Sequence, residues 1–470
     1  MMAIICFGEH NHPPPPQRRI PPTVKDEIVN IIKSFGTGEA TARRIVASPI
    51  LPIMLNGKTT LSQEHISLTN QGVVNYLIRK ERYKEYPHGT DFLGVIHLSE
   101  KQHSSNRYIR QTIHNDDGSF VILCQSKQQS ELYFHSTEIQ ADKTFSRTQC
   151  REFEINGYCP ETSQLTTLSR IFINSESAEA YELAFRLAFA TAEVDVGRKI
   201  PWGHLLPFSE TEYRIKAVLL DEHLSQMQGL GRYLASEYQH KGDADWHIPQ
   251  IVKICQVHYR RSITRLAKKG VSNGIILKPF KANCLEICAR LVELMDFVRA
   301  QHFDNALIEI QNIAIELGNK HLTNWLEYKV KNPWIFQCLS RATTMMNATY
   351  WMDTSFTTNI AESAHAQSQR DGTKLTLVAA IQRAAQLDSR FFETRAATRN
   401  MGVPVRYGDR SVSGLAKRNI NRAAKANEKR KDKGKELETA NQQTELMMVA
   451  LTGLTANVGE LTKIIKDKLI

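Results

Sequence analysis

Three carboxylates in this chain have the types and settings that hold a pair of divalent metal ions. Asp142 follows the run Ile139-Gln-Ala in Ile139-Gln-Ala-Asp142-Lys-Thr-Phe145, and Asp221 ends Ile215-Lys-Ala-Val-Leu-Leu-Asp221. Glu362 sits far downstream, in Thr357-Thr-Asn-Ile-Ala-Glu362-Ser-Ala-His365. A short apolar run such as 215–220 reads as a buried strand. Ligands of open α/β sheets bind beyond the carboxyl ends of strands, so Asp221 is placed for chemistry. Mg²⁺ takes carboxylates and water in octahedral geometry. Two such ions about 4 Å apart activate an attacking water or hydroxyl and stabilise the leaving oxygen of a phosphodiester. Acidic side chains from three distant segments suit that arrangement, one bridging both ions and one beside each. One Asp at a strand end is weak evidence alone, because Asp also ends strands as a turn residue.

Neighbouring residues extend the pattern. Cys255-Gln-Val-His258 follows Asp221 after one strand–helix–strand unit. Cys-x-x-His alone is half a zinc site and often nothing. His258 is followed by Tyr259-Arg260-Arg261, so a helix there starts basic and suits a phosphate backbone. Asn359 and His365 lie three residues on either side of Glu362, on the same helical face. The competing reading of these two is a helix cap and a surface histidine.

The elements that must position these residues follow from periodicity. Strands are expected at 94–98, at 120–124 after the turn Asn115-Asp-Asp-Gly118, at 132–141, at 152–155 and at 165–173. A helix is expected at 178–194, a strand at 215–220, a helix at 227–238, a strand at 251–254 and a basic helix at 257–269. Three strands, a helix, then alternating strand and helix is the order of a ribonuclease H-like core. Residues 24–84 read as short helices with a basic flank, a support domain or, as the competing reading, a DNA-binding unit. From 279 to 347 the reading is all helical. Leu285, Cys288, Leu291, Val292 and Met295 recur at helical spacing, as do Phe303, Leu307, Ile310 and Ile313, with Trp325 and Trp334 as core anchors. Near the end, Met447, Leu451, Leu454, Val458, Leu461 and Ile465 step by four and three, the seam of a short coiled coil. Docking on the chain's own core is the alternative for that helix.

The 470-residue chain carries a formal charge of +11. The excess is local, in a block at 417–435 that includes Lys417, Arg418, Lys429 and Arg430. Such a block suits nucleic acid or a nuclear import receptor, and a solvated charged helix is the competing reading. The eight cysteines are scattered, which points to free thiols in a reducing compartment. The apolar start at 1–7 is too short for a signal segment. No run approaches the roughly 20 apolar residues of a membrane span. A soluble intracellular protein with no membrane partner and no small-molecule substrate is expected. Cys6, His10 and His12 precede prolines 13–16, a stiff spacer. His-x-His before such a spacer looks like the tail of a zinc module of the FLYWCH or WRKY-GCM type. Only one cysteine precedes the histidines and zinc needs four ligands, so a remnant is expected and zinc is not.

In these motifs the chain resembles the Mutator-like (MULE) transposases, a branch of the eukaryotic DDE/D transposases. Asp142-Lys-Thr-Phe145 is similar to that family's Asp-Gly-Thr-Phe block, with Lys143 where the family has Gly. Ser177-Ala-Glu-Ala-Tyr181-Glu182 resembles its next helix start. Val218-Leu-Leu-Asp221, Cys255-x-x-His258 and Thr358-Asn359-x-x-Glu362-Ser-x-His365 match its later blocks. Trp325-Leu-Glu-Tyr-Lys-Val-Lys-Asn-Pro-Trp334 resembles part of its helical insertion. The resemblance spans roughly residues 85 to 390. It implies a mixed α/β (α+β) chain with an RNase H-like catalytic core, an all-helical insertion, a helical N-terminal region and a C-terminal helix. The implied divisions are a zinc-module remnant and spacer at 1–19, a helical region at 20–91, the first part of the core at 92–275, the insertion at 276–347, the final core helix with Glu362 at 348–400, and a basic linker and helix at 401–470. It implies DNA cutting and joining with two Mg²⁺ or Mn²⁺ ions on Asp142, Asp221 and Glu362. Cys255, His258, Asn359 and His365 would support that site, and Arg260, Arg261, Lys417, Arg418, Lys429 and Arg430 would contact DNA. A homo-oligomer in the nucleus is the implied setting. The alternative is a domesticated, catalytically inactive copy acting as a nuclear DNA-binding or regulatory protein.

Overall fold

A computed structural model describes residues 19–103, 107–144, 147–159, 164–208, 213–239, 241–269, 290–295, 299–316, 320–370 and 372–402. The chain divides by its contacts into Met1–Val403 and Pro404–Ile470. The second unit, with the basic block and the 447–465 seam, lies outside the described residues, as does the Cys6–His12 cluster.

The centre of the first unit is a seven-stranded mixed sheet in the order β1-β2-β5-β4-β3-β6-β7. The strands are β1 (Ile109–His114), β2 (Phe120–Cys124), β3 (Glu138–Thr144), β4 (Arg151–Cys159), β5 (Gln164–Ile173), β6 (Ala217–Leu220) and β7 (Val252–Ile254). Pairing is antiparallel from β1 to β3, and β6 and β7 add in parallel. A parallel addition needs a crossover. The helices Ala178–Val196, between β5 and β6, and Leu224–Glu237, between β6 and β7, supply it.

Side chains alternate across a strand, so each strand serves two layers. Ile139, Ala141, Phe153, Ile155, Ile171, Val218 and Leu220 join one apolar core with Tyr181, Phe185 and Phe189 of the helix Ala178–Val196. That helix starts where the Ser177 hydroxyl accepts the Ala180 N–H at 3.2 Å, a side-chain cap. Their strand neighbours point to the other face. There Ile122, Cys124 and Phe172 meet Leu377, Val378 and Ile381 of the long helix Leu377–Met401. Ala217 and Leu219 meet Tyr350 and Trp351. A separate apolar cluster around Ile28, Ile31, Ile45, Leu68 and Leu77 holds the N-terminal helices together. In the 276–347 region the helices Ala300–Glu316 and Lys320–Lys331 bring Phe303, Ile310, Leu322 and Leu326 to the main core, with Trp325 and Trp334 packed beside them.

Some expected elements differ. Residues 94–98 are not a strand but lie inside the helix Phe92–Glu100. The segment 132–141 begins in the helix Lys127–Tyr133, so the strand through Asp142 starts only at Glu138. Asp142 therefore lies within β3, two residues before its end, while Asp221 does follow its strand directly. β1 was not anticipated. Glu362 and the later helical segment fall on two helices, Asn359–Arg370 and Leu377–Met401. Among the described residues no helix is long and apolar enough to cross a membrane.

Candidate active site

Strand register brings the first two carboxylates together. β3 and β6 run in parallel with Ala141 opposite Leu220, so Asp142 and Asp221 are each the next residue along neighbouring chains. Both belong to the face opposite the main apolar core, because Ala141 and Leu220 belong to that core. Asp142 is 8% exposed, and its carboxyl is pushed up to about 6 by burial first and then by the negative charge of Asp221. The Lys143 N–H donates to Asp142 Oδ1 at 2.7 Å.

Asp221 is fixed from the helix Gln256–Lys269, which follows β7, and from the loop before the helix Asn359–Arg370. His258 Nδ1 lies 2.7 Å from Asp221 Oδ1. The Thr358 hydroxyl donates to the same oxygen at 3.3 Å. Its backbone N–H donates to Cys255 Sγ, also at 3.3 Å. Cys255 is wholly buried, and its own N–H returns to Leu220 O at 3.0 Å. Burial opposes ionisation of this thiol, yet hydrogen bonds from His258 and Thr358 outweigh it and hold its pKa below the ordinary value. Hydrogen bonds to Asp221 and then to Cys255 raise His258 to about 10. The Arg261 guanidinium, 3.3 Å from His258 Nε2, asks instead for a neutral ring that can accept there. That contact is long and exposed, so the buried-side partners decide and the imidazole is cationic.

Asp142 is held from the covering helix. His365 Nδ1 lies 3.4 Å from Asp142 Oδ2, and His365 Nε2 lies 3.4 Å from Glu154 Oε2. Glu154 is opposite Asp142 on β4, and Arg170 is opposite Glu154 on β5, so the three form a row across the sheet. Arg170 binds Glu154, lies 3.0 Å from Glu152 and 3.0 Å from Asp388, and donates to Ser368 at 3.0 Å. Two helices, at Ser368 and at Asp388, are thus tied to the row that carries Asp142.

Lys143 does not turn its ammonium onto Asp142. It binds Glu176 and donates to His223 Nε2 at 2.9 Å, while Arg151 Nε holds Glu176 at 2.6 Å. Because an ammonium only donates, His223 must accept as a neutral ring, in accord with a pKa lowered by burial and then by Lys143. Glu176 is held down at about 2: partial burial opposes this, and Lys143 and Arg151 overcome it. The carboxylates open into a cleft of about 560 Å³ lined also by His223, His258, Arg265 and Trp325.

Of the residues singled out in the sequence, Asp142, Asp221, Cys255, His258 and His365 come together. Glu362 and Asn359 lie on the helix Asn359–Arg370, with Glu362 three residues before His365, and their side chains lie outside the described ones. Arg260 and Arg261 are exposed on the helix Gln256–Lys269. Lys417, Arg418, Lys429 and Arg430 lie outside the described residues. Sequence reasoning missed Glu154, Arg170, Glu176, His223 and Arg265. The one available signal was Glu152-x-Glu154 alternating with Phe153 and Ile155 in a strand, two acids on one face. Set against known proteins, the chain matches no family model, no curated protein and no solved structure.

Proposed function

We propose that this chain is a DDE-type DNA transposase of the Mutator-like kind, cutting and joining DNA strands with Mg²⁺ or Mn²⁺. The observation that carries the reading is the adjacency of Asp142 and Asp221 on neighbouring parallel strands. The antiparallel β5-β4-β3 series extended in parallel by β6 and β7 supports an RNase H-like core. The residues fit a divalent pair: two carboxylates on one face, one of them buried and strained by the other's charge, gain from a cation between them. When bound, such a pair would make a water or 3′-hydroxyl nucleophilic and stabilise the leaving oxygen.

The chain's own part is to hold and orient. Asp142 and Asp221 bind, with Glu362 as the third carboxylate. His258 and Thr358 fix the Asp221 carboxylate, and His365 fixes that of Asp142. Arg260, Arg261 and Arg265 offer cations along one helix to a phosphate backbone. DNA, a nuclear setting and a homo-oligomer follow from the same reading.

The test is metal-dependent nicking of supercoiled DNA by the full chain. Asp142→Asn and Asp221→Asn should each abolish nicking while both variants still fold and bind DNA, since a metal site needs the charge and packing needs the shape. Equal nicking by both variants would end the reading. A wild-type chain that binds DNA and never nicks would instead mark a domesticated regulator.

A further inference from the structure

The Asp221, Cys255 and His258 group holds chemistry that strand cutting leaves unused. One ligand atom from each, an oxygen, a sulfur and a nitrogen, all lie within 4.8 Å of one another. Magnesium asks for oxygen alone. Thiolate and imidazole suit softer cations, zinc foremost. We propose that Asp221, Cys255 and His258 form a binding site for a thiophilic divalent cation such as Zn²⁺, sharing Asp221 with the carboxylate pair.

The geometry is close to what zinc needs. Bonds of roughly 2.0–2.3 Å in a tetrahedron place ligand atoms about 3.5 Å apart. His258 Nδ1 and Asp221 Oδ1 are now 2.7 Å apart, a hydrogen-bonded pair that must open by under about 1 Å. Both side chains are about one-fifth exposed along the cleft and have room to turn. The buried Cys255 is instead held by the Thr358 N–H at 3.3 Å and by its own bond to Leu220. A thiolate, the form that ligates a cation, can accept that Thr358 N–H in place. The cleft supplies the fourth position, for water or a phosphate oxygen. With Nδ1 on the cation the ring proton sits on Nε2, so the exposed Arg261 guanidinium must move aside.

The competing account is a hydrogen-bonded brace that only orients Asp221. Cobalt(II) separates the two without any DNA, so the outcome is independent of strand cutting. The reduced, metal-free full chain is titrated with Co²⁺ and read by its thiolate-to-metal absorption band. The site predicts a tight thiolate-ligated Co²⁺ that Zn²⁺ displaces and excess Mg²⁺ does not. Cys255→Ala and His258→Gln should each weaken it by more than about 100-fold, beyond the loss of an outer partner. Asp142→Asn should keep it. Cys6→Ala should keep it too, which separates it from the Cys6, His10 and His12 cluster. If Cys255→Ala does not fold, the partly exposed His258→Gln decides. No band in the wild type, a band that survives in folded His258→Gln, or a band lost only with Cys6 would overturn the site in favour of the brace.

Discussion

Asp142 takes up a proton more readily than an exposed carboxyl, for reasons set by its neighbours. Burial comes first and the charge of Asp221 second, and together they lift it to about 6. An unfolded Asp titrates near 3.9. The folded chain thus binds this proton more tightly than the unfolded one, so its stabilising contribution is full below about pH 4 and lost as pH rises through about 6. Melting of the metal-free protein across that window should show the loss. Asp142→Asn should flatten it, and Asp221→Asn should move it to lower pH by removing the repelling charge. A profile that Asp142→Asn leaves unchanged would contradict the assignment. Glu154 Oε2 lies 3.4 Å from one ring nitrogen of His365, whose other nitrogen lies 3.4 Å from the same carboxyl. Glu154→Gln removes the charge behind the imidazole, and Mn²⁺ affinity should fall about 10- to 100-fold, as for other partners that orient a metal ligand. Calorimetric titration that shows no change would leave Glu154 a purely structural residue.

The elements around the site are locked by one buried guanidinium. Arg170 is 2% exposed and meets Glu152, Glu154 and Asp388, the last from the helix Leu377–Met401. Asp388 also accepts from Tyr108 at 2.7 Å and from Gln129 at 2.8 Å. Removing one partner of a buried ion pair typically costs about 3–5 kcal/mol. Asp388→Ala should lower unfolding free energy by that order in urea titrations, and a loss below about 1 kcal/mol, the worth of a surface pair, would contradict the lock. This row also shows where sequence reading ends. β6 was legible because Ala217-Val-Leu-Leu220 is apolar throughout, as a strand covered on both faces must be. In β4 the alternation of Glu152 and Glu154 with Phe153 and Ile155 signals a strand but suggests water on its polar face. That face is buried because Arg147 and Arg170 neutralise its glutamates and Asp388, from a helix far along the chain, closes over Arg170. The helix Phe92–Glu100 misled because Phe-Leu-Gly-Val-Ile is apolar enough for a strand. Its wholly buried Val95 belongs to a cluster with Val378 and Ile381, partners that no local pattern reveals. Gly94 is needed there, since a Cβ would come within 2.1 Å of Gly89 O. Lys127–Tyr133 did carry its own signal, the capping box of Ser126 and Gln129.

At the scale of the whole molecule the excess of positive charge and the sheet belong to different units of the chain. The unit Pro404–Ile470 contains the basic block, including Lys417, Arg418, Lys429 and Arg430. If this block neutralises phosphates, log affinity for DNA should fall with log salt by about 0.9 per phosphate contact. Deleting residues from 404 onward should flatten that slope while leaving the melting of the sheet intact. An unaltered slope would assign the block to nuclear import alone. The central claim concerns the carboxylates themselves and is open to direct sight. Crystals of the full chain grown with Mn²⁺ should show two anomalous peaks about 4 Å apart, bounded by Asp142, Asp221 and Glu362. A Glu362 carboxylate roughly 15 Å or more from Asp142 and Asp221, with no manganese between the two aspartates, would contradict the account.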